Sequence, residues 1–324
     1  MQFRTKILID KADFEISHDS QICLFGSCFT ENMGNLLYDN LFKTDVNPFG
    51  ILYNPYTIAH ALKLVIQNKK FDESNLIFYN GLYHSLMHHG QFSSSNSEKT
   101  LFDINSRIET CFQNLKKTDV FIFTFGTAFV YNWRETGEVV GNCHKLSDSL
   151  FERKKLTVDD ILSEWKDTLN QLVSLNPDSN FIFTVSPVRH LKDGLHQNQL
   201  SKSTLLLAID ELCKEFRQAY YFPAFEILMD ELRDYRFYAD DMLHPSDIAV
   251  QYIWEIFKET FFTPKTKEII KDWQPLHKML SHKIIDDYSE SAKHFNNRLE
   301  NRFQDLKIKY PSLTEIDKIK NKRL

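Results

Sequence analysis

The stretch Asp119-Val-Phe-Ile-Phe-Thr-Phe-Gly126 is an unbroken apolar run that ends in glycine. A run without polar alternation is typical of a parallel strand that is buried on both faces. Two other runs have the same character, namely Gln21-Ile-Cys-Leu-Phe25, which is followed by Gly26, and Asn180-Phe-Ile-Phe-Thr-Val-Ser-Pro187. Together the three runs predict the centre of a parallel β-sheet.

Segments with helical periodicity lie between these runs and after them. Met33, Leu36 and Leu37 show this spacing directly after the first run. A weaker strand is predicted at 220–224, where Pro223 suits the edge of a sheet. Strands and helices thus alternate up to residue 262, which predicts an α/β fold, a three-layer sandwich with a central parallel sheet. The predicted helices cover residues 30–42, 54–68, 104–115, 158–175, 203–219 and 247–262.

The pattern changes after Pro264, where the chain becomes charged and helical throughout. We therefore predict an α/β domain over residues 1–263 and a helical C-terminal extension over residues 264–324. A long amphipathic helix is predicted from Ile284 to Ile308. Its apolar stripe can pack on the core or on a second subunit, so a homo-oligomer through the C-terminal helices is one interpretation. The stripe consists of Tyr288, Phe295, Leu299, Phe303 and Leu306.

Composition excludes several classes of protein. The 324 residues carry a formal net charge of -5, which argues against a nucleic-acid binder. No window approaches the length of a membrane helix, and the first ten residues contain no apolar stretch typical of a signal peptide. The five scattered cysteines form no Cys-x-x-Cys pair, which predicts free thiols in a reducing, cytoplasmic compartment and neither a metal nor a cofactor.

Candidate catalytic residues follow the first predicted strand. In open α/β sheets the site lies at the carboxyl ends of the strands, and the first strand ends at Gly26-Ser27-Cys28. A nucleophile at a strand-to-helix turn is held exposed, and the amides of the helix N-terminus can stabilise negative charge there. A cysteine in this place is expected to have its thiolate favoured.

A base is predicted in Asp241-Met-Leu-His244, just before the last helix of the α/β portion. One turn can place the carboxylate of Asp241 where it orients the imidazole of His244 through Nδ1. That is the role of the acidic member of a hydrolytic triad. Asp240 is the alternative orienting group, one residue out of register.

These two motifs resemble those of the SGNH or GDSL hydrolase superfamily, and more closely the GSCFA family within it. The superfamily's first motif reads Gly-Asp-Ser-Leu-Thr, and Gly26-Ser-Cys-Phe-Thr-Glu31 occupies the same register. The last motif, Asp-x-x-His followed by Pro, matches Asp241 to Pro245. The resemblance covers about residues 20 to 262 and implies acyl transfer by the residues at these positions.

This chain departs from the superfamily pattern in two places. Cys28 rather than Ser27 falls on the nucleophile, so the resemblance leaves a thiolate at Cys28 or a one-residue shift to Ser27, and we favour Cys28. The Gly-x-Asn-Asp motif is absent, because Ala128 replaces the asparagine that would stabilise the oxyanion. The remaining candidate donors and substrate contacts there are the amides of Cys28 and Gly50 together with Gly126 and Thr127.

Other polar residues are candidate substrate contacts. Arg189 and His190 follow the third predicted strand, so they should border the cleft and could bind an anionic group. His84 lies in a short segment with His88 and His89, where a substrate contact competes with an ordinary packing role. The spacing of His84 and His88 would suit metal ligands on a helix, but no carboxylate is near in sequence.

These observations predict an acyl-ester hydrolase of the esterase or deacetylase type. The resemblance favours a small-molecule or carbohydrate-linked ester as substrate. An O-acyltransferase would use the same residues with a sugar hydroxyl as acceptor. A binding protein that kept the fold and lost catalysis is supported by Ala128, and a thiol-dependent amidase is a third alternative.

Overall fold

The computed structural model describes residues 4–280 and 289–323. Its strands are β1 (Gln21–Gly26), β2 (Lys43–Val46), β3 (Ile77–Tyr79), β4 (Leu82–His84), β5 (Val120–Phe125), β6 (Phe129–Trp133), β7 (Val139–Val140), β8 (Phe151–Lys155), β9 (Asn180–Val185) and β10 (Ala219–Tyr221). Its helices are α1 (Cys28–Asp39), α2 (Pro55–Ile66), α3 (Ser97–Leu115), α4 (Val158–Leu175), α5 (Leu195–Glu215), α6 (Ala224–Glu226), α7 (Asp247–Phe261), α8 (Pro264–Leu280), α9 (Glu290–Lys309) and α10 (Glu315–Arg323).

A five-stranded sheet forms the centre, with the strand order β10-β9-β5-β1-β2 and parallel pairing throughout. The predicted parallel sheet is therefore confirmed. Its middle strand is β5, and all six of its side chains are buried, as its unbroken apolar sequence predicted. Because the strands are parallel and in register, β1, β5 and β9 end at the same edge.

Helices cover both faces of this sheet. Phe121 and Phe123 face a core shared with α2, α3, α4 and α5. Their strand neighbours Val120 and Ile122 face a second core, shared with α1 and α7. The alternation of strand residues between two cores is what a sheet buried on both sides requires. The predicted three-layer sandwich is thus confirmed.

Helix bounds agree best where apolar periodicity is strong. The fourth helix has the predicted bounds and begins with a capping box between Thr157 and Asp160. In contrast, α5 begins at Leu195 rather than at Ser203. Its first turns are polar, and three buried side chains there, Asn198, Ser201 and Lys202, bond to the segments that follow β5 and β9. Among the helices in the described ranges, none is both long and apolar enough to cross a membrane.

Two small antiparallel units were not predicted. The strands β3 and β4 form a hairpin, and β6 pairs with both β7 and β8. The sequence of β8, Phe-Glu-Arg-Lys-Lys, is mostly charged, and only alternate residues are shielded from solvent. A short, half-exposed strand has too little apolar periodicity to be recognised without its partner.

The C-terminal helices have an apolar core of their own. Trp273 of α8, Phe303 of α9 and Ile316 of α10 share it with Leu41, which follows α1. The indole of Trp273 also donates to the carbonyl oxygen of Asp39 over 2.6 Å. Part of the predicted stripe therefore packs within this chain. Tyr288 and the first residues of the predicted helix lie outside the described residues.

Gly26 closes β1 with a φ of +150°. A Cβ added there would lie 2.4 Å from the carbonyl oxygen of Thr124 and 2.5 Å from Oγ1 of Thr30. Any side chain would therefore push β1 away from β5 or displace the first turn of α1. The strand-to-helix turn has this shape only because residue 26 is glycine.

We expect Gly26→Ala to lower the free energy of unfolding by at least about 3 kcal/mol, because backbone strain adds to overpacking. Urea denaturation followed by circular dichroism measures this loss. Gly81→Ala is the matched control, since Gly81 also has a positive φ, of 77°, but nothing lies within 4 Å of the added Cβ. It should cost only about 1 kcal/mol. Equal losses in the two variants would contradict the steric role of Gly26.

Candidate active site

A cleft of about 540 Å³ opens at the carboxyl edge of the sheet. This volume is in the range of small-molecule sites. It is the place where the order of the strands predicts a site. The predicted residues that line the cleft are Ser27, Cys28, Thr127, Arg189, His190 and His244.

The β6–β7–β8 sheet forms one wall of the cleft. Phe129, Tyr131 and Arg153 face the cleft, whereas the alternate residues Val130 and Lys154 face a larger cavity of about 810 Å³ on the other side. The larger cavity lies away from the ends of β1 and β9. The candidate chemistry is therefore confined to the smaller cleft.

The turn from β1 into α1 presents Cys28 to the cleft. The Gly26 N–H donates to Oδ1 of Asn47 over 2.9 Å, which holds the turn in place. Ser27 is the N-cap of α1, but it is only 1% exposed, and its Oγ is buried without a partner in the described structure. Cys28 is half-buried and begins the helix. Of the two candidate nucleophiles, Cys28 is thus the accessible one.

The thiol of Cys28 differs from the expectation of a favoured thiolate. Burial raises the pKa of Cys28 above its ordinary value, and the nearby carboxylate of Glu31 adds to the increase. The N–H groups of Phe29 and of Cys28 itself oppose this rise in pKa, as does the ammonium of Lys202. Desolvation is the largest effect, so the helix N-terminus alone does not ionise this thiol.

Asp241 and His244 form the predicted pair. Oδ2 of Asp241 lies 2.5 Å from Nδ1 of His244, and its Oδ1 accepts from the N–H groups of Leu243 and His244. These three bonds hold the pKa of Asp241 at about 2. Met242, between them, has a φ of +59°, an unfavourable conformation that the tight loop imposes. Asp240 is exposed and has no recorded bond to His244 in the described structure.

Three of the amides proposed for the oxyanion hole, those of Gly50, Gly126 and Thr127, bond within the protein, which corrects that part of the prediction, whereas the amide of Cys28 stays a candidate. The N–H of Gly50 donates to the Asn47 carbonyl over 2.8 Å, and Gly50 packs against His89 rather than lining the cleft. The N–H groups of Gly126 and Thr127 both donate to the carbonyl oxygen of Tyr53. The turn from Asn47 to Gly50 thus satisfies the first donor, and the loop that contains Tyr53 satisfies the other two.

Asn54 is a cleft residue that the sequence did not single out as functional. Its Oδ1 accepts from the Thr57 N–H over 2.9 Å and caps α2. Within the part of the chain that the structure describes, its Nδ2 has no recorded partner. The Asn-Pro start of α2 indicates a helix cap in the sequence, but it does not indicate that the cap lies in the cleft.

Arg189 and His190 line the cleft as predicted. Nη2 of Arg189 lies 3.2 Å from Sδ of Met229, and no carboxylate pairs with it in the described ranges. Nε2 of His190 is buried without a partner there. Burial, helped by the positive charge of Lys202, lowers the pKa of His190 to about 4, so this imidazole is neutral at pH 7.

His84 lies outside the cleft, which corrects its assignment as a substrate contact. Its Nδ1 lies 2.7 Å from Oγ of Ser93, and its Nε2 lies 3.1 Å from the carbonyl oxygen of Tyr79. Both ring nitrogens are therefore engaged in holding the β3–β4 hairpin. This is the packing role that competed with substrate contact.

Lys202 is the other residue that the sequence did not indicate. It is 0% exposed, and its Nζ donates to the carbonyl oxygens of Gly126 and Ser186, each over 2.7 Å. These carbonyls stand at the ends of β5 and β9, directly beneath the cleft. A lysine in a polar segment is ordinarily exposed, so nothing in the sequence predicted its burial.

One group of potential metal ligands occurs in the described residues, made of Cys23, Asp45 and Cys111. All three are buried in the core rather than in the cleft. The carboxylate of Asp45 is already bound by Arg107 and Asn114. The positive charge of Arg107 opposes binding of a cation there, so this group does not fit a metal ion.

Comparisons with known proteins identify the family. None of the curated proteins matches the sequence. Two similar solved structures are a family 3 carbohydrate esterase from Clostridium thermocellum and a carbohydrate esterase family 3 protein from Talaromyces cellulolyticus. Each is 11% identical and has a TM-score of 0.34, and the alignments cover 78% of this chain and 97% and 99% of the two esterases. Similarity this low carries no argument about activity.

The match to a sequence family is more extensive. Residues 21–257 match the GSCFA family, which the motifs at Gly26 and His244 had indicated. The matched range contains the whole central sheet, both of these motifs and α5. Because it spans well over half of the sequence, the chain belongs to the GSCFA family.

Proposed function

We propose that this protein hydrolyses an acyl ester, with Cys28 as nucleophile and His244 as general base. The observation that carries the proposal is that the accessible thiol of Cys28 and the imidazole of His244 line one cleft at the sheet edge. Asp241 holds that imidazole through Nδ1, which leaves Nε2 to exchange protons. This arrangement supports acyl transfer through a covalent intermediate.

The proposed reaction has two steps. Nε2 of His244 takes the thiol proton while Sγ of Cys28 attacks the acyl carbonyl carbon. The tetrahedral oxyanion then collapses, and the alcohol leaves with the proton from His244. Water, deprotonated by His244, attacks the resulting thioester, which releases the carboxylic acid and restores the thiol. The reaction needs no cofactor.

We infer that the ester is carried by a carbohydrate hydroxyl. The resemblance to the SGNH superfamily, in which such esters are common substrates, supports this class. The cleft also combines the aromatic rings of Tyr53, Phe129 and Tyr131 with the amide of Asn142. Aromatic surface beside a few polar groups suits the apolar face and hydroxyl groups of a sugar.

Asn54 is our candidate for the side-chain donor that Ala128 lacks. Its Nδ2 is uncommitted among the described residues, and the amide lies in the same cleft as Cys28. Together with the N–H of Cys28 it would stabilise the tetrahedral oxyanion. The acceptor of the same side chain remains bound to Thr57, so the amide is held in one orientation.

The nucleophile and base are tested together with p-nitrophenyl acetate. Acid quenching and peptide mass spectrometry should find an acetyl adduct on Cys28 in the wild type. His244→Ala should form it at least about 10²-fold more slowly, because the base is lost. His196→Ala is the control, since His196 is an exposed histidine of α5 outside the cleft. An adduct on Ser27 would overturn the assignment of Cys28, and no adduct at either residue would favour the binding-protein alternative.

Asp241→Asn should lower kcat by about 10²- to 10⁴-fold, because the amide cannot support the same tautomer of His244. Steady-state kinetics on p-nitrophenyl acetate measure the loss. Asp240→Asn removes the adjacent carboxylate without touching His244, and its kcat should stay within about twofold of wild type. Similar losses of kcat in both variants would show that the negative charge of the loop, rather than the orientation of His244 by Asp241, supports the reaction.

Asn54→Asp should lower kcat by about 10²-fold while leaving thermal stability near that of the wild type. Aspartate caps a helix as well as asparagine does, but it cannot donate to an oxyanion. Asn54→Ala is the companion variant, because it removes both the cap and the donor. It should lose kcat and also about 1 kcal/mol of stability. A fully active Asn54→Asp variant would remove Asn54 from the oxyanion hole.

A further inference from the structure

Lys202 is an unusual residue because it is fully buried without an acidic partner. In the described part of the chain no carboxylate pairs with its ammonium group. Its contacts are two carbonyl oxygens and the ring of Phe225, whose centroid lies 5.6 Å from Nζ. Lysine is rarely buried unless it is paired, since desolvating a charge is costly.

The position of Lys202 connects it to the nucleophile turn. One carbonyl that it binds belongs to Gly126, and a Cβ on Gly126 would lie 3.6 Å from Cβ of Ser27. The ammonium therefore lies beneath the segment that carries Cys28. Dipoles of two carbonyls hold the cation there, yet they leave a net positive charge.

We propose that Lys202 is the buried cation that compensates the negative charge formed at Cys28. The inference rests on the proposed function, because it takes Cys28 as the nucleophile. In this role Lys202 keeps its proton throughout, and the proton of Cys28 passes to His244. Lys202 does not touch the substrate, so it is a positioning and electrostatic residue.

The surrounding charges leave Lys202 as the cation that favours the thiolate. Glu31, on α1, disfavours negative charge at Cys28, whereas Tyr53, before α2, has a raised pKa and stays neutral. His190 is neutral at pH 7, and Arg189 lies near Lys202 and lowers its pKa. Burial is the main cause that brings the pKa of Lys202 to about 7, whereas negative charge at Cys28 raises it. Ionisation of the thiol and retention of the lysine proton thus support each other.

A purely structural role is the competing explanation. Lys202 ties the ends of β5 and β9, so its removal could disturb the cleft without any electrostatic effect. The two roles differ in one measurable quantity, the pH at which Cys28 ionises. The cleft is lined by two thiols, those of Cys28 and Cys143. Disorder of the cleft changes the access of a reagent to both thiols, whereas loss of a specific cation changes the ionisation of Cys28.

The test is the rate of alkylation by iodoacetamide from pH 6 to 10, read at each cysteine by peptide mass spectrometry. Lys202→Met and Lys202→Gln should slow alkylation of Cys28 about tenfold between pH 6 and 7, where Lys202 is protonated, since one pKa unit is a tenfold change in thiolate. The difference from the wild type should shrink at higher pH as Lys202 loses its proton. Cys143 is the control within the same molecule. It also lines the cleft, but the charges that act on it are Lys192, Asp148 and Arg153, so its rate should not change.

A Cys28 profile within twofold of wild type in a folded variant overturns the proposal. Equal slowing of Cys28 and Cys143 also overturns it in favour of the structural role. If both variants fail to fold, Cys28→Asp provides the reciprocal measurement, with the uncharged Cys28→Asn as its control, and the Lys202 signal is the ¹³Cε-lysine resonance that titrates at the lowest pH. Its midpoint should be about one unit higher in Cys28→Asp than in Cys28→Asn, because coupling between two sites is mutual, and equal midpoints contradict the proposal. Neither experiment uses an ester, so failure of the proposed hydrolysis would be recognised separately.

Discussion

The contact of Gly26 with β5 is the constraint on which the rest of the site depends. Without a side chain at residue 26, β1 lies against the Thr124 carbonyl and the chain turns at once into α1. That turn places the first residue of the helix, Cys28, over the sheet edge. The thiol, the amides around it and the cleft in front of it all follow from one close approach of backbone to backbone.

Hydrogen bonds at the sheet edge decide which groups remain available for chemistry. The Tyr53 carbonyl accepts hydrogen bonds from the N–H groups of Gly126 and Thr127, and the ammonium of Lys202 donates to the carbonyl oxygen of Gly126. These bonds occupy the backbone polar groups of Gly126 and Thr127 on the floor of the cleft. They leave the N–H groups at the start of α1 and the amide of Asn54 as candidate donors in the cleft, because a buried backbone group that is already paired has nothing to offer a substrate.

The charges of the cleft are divided between its floor and its rim. Lys202 is buried in the floor, and the neutral imidazole of His190 lies near it. The ionised carboxylate of Asp241 stands with His244 at the exposed rim. A nucleophile that is difficult to ionise at the floor and a base that is open to solvent at the rim are consistent with proton transfer outward from Cys28 to His244.

The sequence by itself determined four of the five strands of the central sheet, its helical layers and the places of Cys28, Asp241 and His244 in the chain, whereas β2 was not predicted. It could do so because buried strands, amphipathic helices and one-turn motifs are local patterns in which spacing reflects contact. Only the tertiary structure decided that Ser27 is buried, that Gly50 and His84 are committed elsewhere, that Asn54 lines the cleft, and that Lys202 is buried against the carbonyls at the sheet edge. The partners of these residues come from distant parts of the chain. Whether a polar group is free, paired or desolvated therefore depends on packing, which no local pattern records.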